Sequence, residues 1–183
     1  FCGGKEAMEK RLDTFTSQVK HGWAPDVPYY WLGNEPCFGS AYVYNFLGRA
    51  WKSQRLVRNI LNRFDNTPNG LPGDDDAGAM SALYVFSAMG LYPYVPGVGG
   101  FVVTGPLFSK VQLQLKEGKT LTLMGANAGN EAPYIQRLQV DGRETTSTWV
   151  DWDKLKNGAK LNFVMGKEPN KQWGTTEKDV PPS

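Results

Sequence analysis

The chain has 183 residues, a formal net charge of +2 and an aromatic content of 13%. Its lysines and arginines are scattered, which argues against a nucleic-acid-binding protein, and its longest apolar runs are far shorter than a membrane span. One histidine and two cysteines exclude a histidine-rich zinc site, a zinc finger and an iron–sulfur cluster. Carboxylates and aromatic side chains therefore remain as the candidates for chemistry.

The first hundred residues have the hydrophobic spacing of helices that are separated by glycine- and proline-rich loops. The first predicted helix follows Gly4, and its apolar face is formed by Met8, Leu12, Phe15 and Val19. Three more helices are predicted, from about residue 40 to 47, after Gly48, and after Ala77. Gly90 is expected to end the last helix, because glycine readily adopts the left-handed conformation of a helix C-terminus.

The segment between the first and second helices, HGWAPDVPYYWLGNEPCFGS, has no periodicity. A loop of that length in a domain is usually functional or disordered, and this one is too aromatic to be disordered. It begins with His21, which is expected to lie at the end of the preceding helix, where the helix dipole favours a positive charge.

From residue 100 onward the hydrophobic period changes to two. The predicted strands are FVVTG, KVQLQL, TLTLMG, YIQRLQVDG, STWVDW and KLNFVMG. The Asp-Gly pair in VDGRE is a hairpin signal, and short strands at this spacing are typical of an antiparallel sandwich or one of its sheets. The sequence therefore predicts an α+β fold, with helices in residues 1–99 and strands in residues 100–183.

Three consecutive aspartates stand between glycines directly ahead of the last predicted helix, in GDDDAG. One aspartate is enough to cap a helix, whereas adjacent carboxylates raise the pKa values of one another, which a cap does not need. In an extended loop Asp74 and Asp76 would project to one side and Asp75 to the other. A purely structural capping function stays open, and a site built on Asp74 and Asp76 is the alternative.

Glu35, in YYWLGNEP, provides a second acidic loop among aromatic residues. Paired carboxylates near aromatic rings are the components of a glycosidase, and clustered carboxylate and amide oxygens also suit a hard cation such as calcium. These residues favour a carbohydrate hydrolase, with a calcium-dependent carbohydrate-binding, lectin-like module without catalysis as the alternative.

Four motifs resemble the C-terminal part of glycoside hydrolase family 92, the calcium-dependent exo-acting α-mannosidases. They are GNEP (33–36), YVYNFLGRAWKSQRLVR (42–58), GLPGDDDAGAMSALYVFSAMGLYPYVPG (70–97) and GPLF (105–108). The resemblance implies a secreted, inverting hydrolase that releases mannose from terminal α-1,2-mannosides of glycans. It also implies that residues 1–99 hold the last helices of an (α/α)6 barrel and that residues 100–183 form an antiparallel β layer of a sandwich.

The resemblance also assigns roles in the two acidic loops. Asp76 corresponds to the general base and Asp74 to its partner, while Glu35 corresponds to a calcium (Ca²⁺) ligand, with Asn34 as a weaker candidate. Trp31 is the candidate for stacking on the sugar.

Three alternatives stay open for these residues. Glu35 could instead form a salt bridge with Arg49. Trp31 and its neighbour Tyr30 could belong to the core. Cys2 and Cys37 could be free thiols or form one disulfide.

The resemblance places the general acid in a motif upstream of the glycine pair Gly3-Gly4, and this sequence has no matching motif. Glu6 and Glu9 are expected to face solvent on the first helix. The sequence starts without an initiator Met, and the chain is expected to be a proteolytic fragment, inactive alone and associated with the N-terminal remainder of the enzyme. Cys37-Phe38-Gly39 stands where family members commonly have Ser-His-His, and PYYWL (28–32) replaces a His-Glu pair, so the contacts to the leaving group differ.

Overall fold

The structure, a computed structural model, describes residues 3–20 and 28–182. Its α-helices are α1 (Lys5–Phe15), α2 (Val43–Phe46), α3 (Ala50–Leu61), α4 (Ala79–Met89) and α5 (Trp152–Leu155), and 3₁₀ helices span Glu35–Tyr42 and Lys116–Gly118. The strands are β1 (Val19–Lys20), β2 (Tyr30–Trp31), β3 (Leu91–Tyr92), β4 (Gly100–Val103), β5 (Lys110–Gln114), β6 (Thr120–Ala126), β7 (Tyr134–Val140), β8 (Arg143–Thr145), β9 (Trp149–Asp151) and β10 (Ala159–Gly166). The predicted α+β class is confirmed.

The helices follow the predicted hydrophobic spacing, with two differences. Val19 does not continue the first helix but lies in β1, which pairs in parallel with β2. The predicted helix from about residue 40 to 47 is instead a 3₁₀ helix that starts at Glu35 and continues directly into α2. Part of the segment expected to be an irregular loop is therefore regular, because Pro36 and the Asn34 cap start a helical turn earlier than hydrophobic spacing indicates.

The strands form a five-stranded sheet in the order β5-β6-β10-β7-β8 and a three-stranded sheet in the order β3-β4-β9. The expectation of an antiparallel layer is wrong at one pairing, since β10 runs parallel to β6. The physical reason is topological: β10 returns late in the chain and inserts between β6 and β7, which run in opposite directions, so it can be antiparallel to only one of them. The predicted Asp-Gly hairpin is confirmed, with Asp141 at φ 47° and Gly142 at φ 79° between β7 and β8.

Helix α3 joins the helical part to the β part. In the buried interface the backbone N–H of Ile135 donates to the Gln54 Oε1 atom at 2.9 Å. The buried Arg58 guanidinium donates to backbone carbonyls of Gly129 and, at 3.1 Å, Pro106, and burial lowers its pKa to about 10. Because buried backbone groups need partners, these side chains of α3 fix the helices relative to the five-stranded sheet.

The C-terminal segment is fastened to the β part through Asp179, which is 4% exposed. Its carboxylate accepts hydrogen bonds from the hydroxyls of Thr146 and Thr176, each at 2.6 Å, and its carbonyl accepts one from the Thr148 N–H at 2.7 Å. Among the helices of the described ranges, none is long and apolar enough to cross a membrane.

Candidate functional site

The two acidic loops lie against each other through a pair of glycines. A β-carbon placed on Gly73 would lie 2.5 Å from the Cα atom and 2.8 Å from the carbonyl oxygen of Gly33. Real atoms do not approach so closely, so only glycine at position 73 allows the GDDDAG loop to pack on the GNEP loop. The sequence analysis missed this contact, and the only signal for it was that each acidic run is preceded by a glycine.

Contacts behind the loops hold this arrangement in place. The Tyr42 hydroxyl, at the end of the 3₁₀ helix, lies 2.6 Å from the Ser87 hydroxyl of α4. The Tyr42 ring also stacks on Tyr92 of β3, with ring centroids 4.3 Å apart. Each acidic loop leads into one of these two helices, so the buried tyrosine fixes one loop relative to the other.

This packing brings Asp76 to Glu35, whose carboxyl group lies within hydrogen-bonding reach of the Asp76 carboxyl. Loss of solvent, then the charge of Glu35 and the hydrogen bond with it, and then the charges of Asp74 and Asp75 raise the pKa of Asp76 above its ordinary value. Both Asp76 and Glu35 are exposed at the surface of the described part. The pair is therefore an accessible concentration of negative charge.

The direction of the Asp76 side chain is set by an unusual backbone conformation. Asp76 has φ 47°, Ala77 has φ 58° and Gly78 has φ 92°, so three consecutive residues are left-handed immediately before α4. Non-glycine residues seldom adopt this conformation. The extended geometry assumed from the sequence is thus wrong at Asp76, where the chain turns instead.

Asp75 performs the capping function that was the structural alternative for the whole aspartate run. Its Oδ1 atom accepts a hydrogen bond from the Ser81 N–H at 2.8 Å. Hydrogen bonding with the Ser81 side chain, and then with its backbone N–H, lowers the pKa of Asp75. The carbonyl oxygens of Asp75 and Asp76 accept the N–H groups of Met80 and Ala79. Capping therefore explains one of the three carboxylates and leaves Asp74 and Asp76 without that role.

The remaining candidate residues, in the GNEP loop and in β2 just before it, differ in burial. The Asn34 Oδ1 atom accepts the Glu35 N–H at 3.1 Å, which makes Asn34 the cap of the 3₁₀ helix. Trp31 is half-buried at the end of β2, and its indole ring lies beside Gly33. Tyr30 is fully buried and belongs to the core, as its alternative interpretation predicted.

Among the described residues, one open alternative for Glu35 is not realised, and one expectation, for Glu9, is wrong. Arg49 does not pair with Glu35, because its Nε atom lies 2.9 Å from Glu9. Glu9 is consequently not a solvent-facing residue: it also lies 2.7 Å from the Lys52 ammonium, and its side chain is 19% exposed. The cations of Arg49 and Lys52, just before and at the start of α3, thus pair with Glu9 of α1.

Some predictions from the sequence concern residues that the structure does not describe. His21 and Cys2 fall outside the described residues, and Cys37, which is half-buried, carries a free thiol. Within residues 3–20 and 28–182, no group of three or more His, Cys, Asp or Glu side chains is placed to hold a metal ion.

Residues 1–167 match the glycosyl hydrolase family 92 catalytic domain. A protein of Arthroderma benhamiae described as an uncharacterized secreted glycosidase is 36% identical over 185 aligned residues, which cover 99% of this chain and 23% of that protein. A family 92 α-mannosidase structure from Bacteroides thetaiotaomicron is similar with a TM-score of 0.90 and 35% identity, covering 98% of this chain and 24% of that one. A family 92 inverting mannosidase from the same organism gives a TM-score of 0.87 and 34% identity, covering 98% and 27%.

The chain spans about a quarter of the length of these relatives. The match covers both acidic loops and nearly the whole chain, and sequence identity and fold agree. The family expected from the four motifs is confirmed, and the chain belongs to glycosyl hydrolase family 92.

Proposed function

We propose that this chain is part of an exo-acting, inverting, calcium-dependent α-mannosidase that hydrolyses terminal α-1,2-mannosides of glycans. The observation that carries the proposal is the meeting of Asp76 and Glu35, which come from two loops about forty residues apart in the sequence. Membership of family 92 supports it, as do the names of two similar structures, an α-mannosidase and an inverting mannosidase.

In this proposal Asp76 is the general base, and Asp74 is the partner that helps to orient the attacking water. Asp76 is exposed, so a water molecule can reach its carboxylate. Its raised pKa makes the ionised carboxylate a stronger proton acceptor than an ordinary aspartate. Removal of the water's proton by one carboxylate, with a separate acid at the leaving group, is single displacement with inversion.

Glu35 and Asn34 would hold the calcium ion, together with nearby backbone carbonyls. The donor set fits this ion, since it consists of carboxylate and amide oxygens, and the accumulated charge that raises the pKa of Asp76 favours a cation. Because fewer than three carboxylates of the described residues are placed as ligands, we expect the coordination shell to be completed by carbonyls, water or substrate. When bound, the ion would supply a hard Lewis acid toward sugar hydroxyl groups, and Trp31 would contact the sugar ring.

The same proposal assigns residues 1–99 to the last helices of the (α/α)6 barrel and residues 100–183 to a β layer, with β3 reaching from the first into the second. Two apolar clusters support this division, since most buried members of one come from residues 1–99 and most of the other from residues 100–183. We further propose that the enzyme is secreted, since the similar protein of Arthroderma benhamiae is described as a secreted glycosidase. The general acid then lies in the N-terminal remainder, with which this chain associates and without which it is inactive.

The aspartate run provides a matched test. In the enzyme that contains this chain, Asp76→Asn should lower kcat by about 10²- to 10⁴-fold with the fold retained, because an amide cannot accept the proton. Asp75→Asn should instead keep kcat and lower the unfolding temperature only slightly, because the amide oxygen can still accept the Ser81 N–H while the negative charge at the N-terminus of α4 is lost. Equal losses of kcat in the two variants, or mannose released with retained anomeric configuration by NMR, would contradict the proposal.

Glu35 is tested separately through the metal. Glu35→Gln should weaken calcium binding in calorimetry and raise the calcium concentration needed for half-maximal mannose release, whereas the exposed Glu131→Gln should change neither. Binding of mannose without release in the calcium-loaded wild type would favour the lectin-like alternative. Full activity after chelation would sink the calcium assignment.

A further inference from the structure

Helix α4 has no charged residue, and its apolar side chains are not confined to the face that packs on the core. Met80 and Leu83 are buried, whereas Ala82 and Val85 lie on the opposite face and are exposed. Val85 is 53% exposed, the largest value for a large apolar side chain in the described part of the chain. Because a helix that is apolar on all sides is normally enclosed by other elements, we expect α4 to have a further packing partner.

The exposed face of α4 forms one wall of a groove of about 520 Å³, and the segment that follows α3 forms the other wall. Leu71, in the second wall, is 42% exposed. The rings of Phe64 and Tyr84 join the two walls, with their centroids 5.0 Å apart. We call Phe64, Leu71, Tyr84 and Val85 the α4 groove. It is a concave apolar surface rather than a scatter of single exposed side chains.

The lining of the α4 groove holds little charge. Among the described residues that line it, Asp65 is the single charged side chain, and its carboxylate accepts a hydrogen bond from the Thr67 hydroxyl. Asn66 and Ser81 add uncharged polar groups. Depletion of charge in a concave apolar patch is typical of the centre of a protein–protein interface.

We infer that the α4 groove is the docking surface for an apolar helix of the N-terminal remainder, the partner named in the proposed function, on which this inference rests. The similar α-mannosidase structure has the same fold over 98% of this chain, yet this chain covers only 24% of it. A relative of that length therefore has about three quarters of its polypeptide outside the part described here. A helix suits the surface because Ser81 and Ala82 precede Val85 by four and three residues, the spacing of the ridges on which helices pack.

The α4 groove also adjoins the aspartate loop. Ser81 lines the groove, and its N–H donates to the Asp75 Oδ1 atom at 2.8 Å. Leu71 stands just ahead of the same loop in the sequence GLPGDDD. A helix that docks in the groove therefore reaches the edge of the loop that carries Asp74 and Asp76. The same contact that covers α4 brings the remainder, and with it the general acid, to the proposed active site.

The test measures how fast a thiol in the groove reacts in the enzyme that contains this chain. The site variant is Val85→Cys, and its matched control is Val98→Cys, in the loop between β3 and β4, where the valine is 42% exposed. Each variant is treated with N-ethylmaleimide, once native and once in urea, and the uptake is followed by intact mass against the wild type. Size-exclusion chromatography at the same concentrations gives the oligomeric state.

Native Val85→Cys should react roughly tenfold or more slowly than the same variant in urea, because a covered thiol reacts only when the interface opens. Native Val98→Cys should react nearly as fast as in urea, although Val98 is the less exposed valine in this chain. Equal rates for native and unfolded Val85→Cys would overturn the docking surface. Protection that disappears on dilution to a monomer would assign the groove to a second copy, and protection that requires added mannan would assign it to a glycan; either result overturns the inference.

The labelling does not require turnover, so it is independent of the proposed reaction. An open groove in an active mannosidase would overturn the docking surface and leave the proposed function intact. A covered groove in an enzyme that releases no mannose would support the docking surface and count against the proposed function.

Discussion

Gly73→Ala tests the contact that assembles the proposed active site. The new methyl group would lie 2.5 Å from the Gly33 Cα atom and 2.8 Å from its carbonyl oxygen, whereas carbon atoms in contact stand about 3.5–4.0 Å apart. Both opposing atoms belong to the backbone, so no side chain can turn away and relieve the clash. The two acidic loops must separate by about 1 Å.

That displacement has a calculable consequence for turnover. A shift of about 1 Å in a catalytic arrangement lowers the rate by roughly 10²-fold, and the overpacking destabilises the fold by about 1–3 kcal/mol. For a domain of this size, each kcal/mol lowers Tm by about 2–4 °C. We therefore expect Gly73→Ala to remain folded at assay temperature and to lose most of its kcat and part of its calcium affinity.

The assay measures mannose release, calcium binding and thermal unfolding on the enzyme that contains this chain. Gly129→Ala is the matched control, because a β-carbon there has no neighbour within 4 Å, and we expect it to be neutral or slightly stabilising. If Gly73→Ala keeps wild-type kcat and calcium affinity, the packing of the two loops does not position Asp76 and Glu35, and the reasoning is refuted.

Two further predictions concern stability. The free energy of unfolding should fall by about 1.5–3 kcal/mol in Asp179→Asn, because the hydrogen bonds from Thr146 and Thr176 lose a charged acceptor. Burial alone would raise the pKa of Asp179, but these hydrogen bonds outweigh it and lower the pKa below 3.8. The stabilisation by Asp179 is therefore present above pH 3.8 and is lost as the pH falls through the pKa of the folded state. Parallel curves of unfolding free energy against pH for wild type and variant would contradict this. Gln54→Leu should cost about 1–3 kcal/mol in urea unfolding, because the buried Ile135 N–H loses its acceptor; an unchanged midpoint would show that this bond does not join the layers.

The elements that depend on local interactions were predictable from the sequence. The apolar spacing in α3 and α4, the left-handed Gly90 after α4 and the Asp-Gly turn after β7 all occur as predicted. The conformation of each element depends on sterics and hydrogen bonds between residues that are close in the sequence, so the local sequence is enough to predict it. The parallel pairing of β10 with β6 was not predictable in this way, because it depends on a strand about forty residues away.

For the candidate site, the sequence determined which residue types were available: carboxylates and aromatics in two loops, with one histidine and two cysteines. Only the tertiary structure decided which carboxylates meet. It divided the aspartate run, placing Asp75 on the N-terminus of α4 and Asp76 beside Glu35. The reason is that the direction of each carboxylate depends on three left-handed residues and on the packing of Gly73 against Gly33, and neither leaves a periodic trace in a sequence.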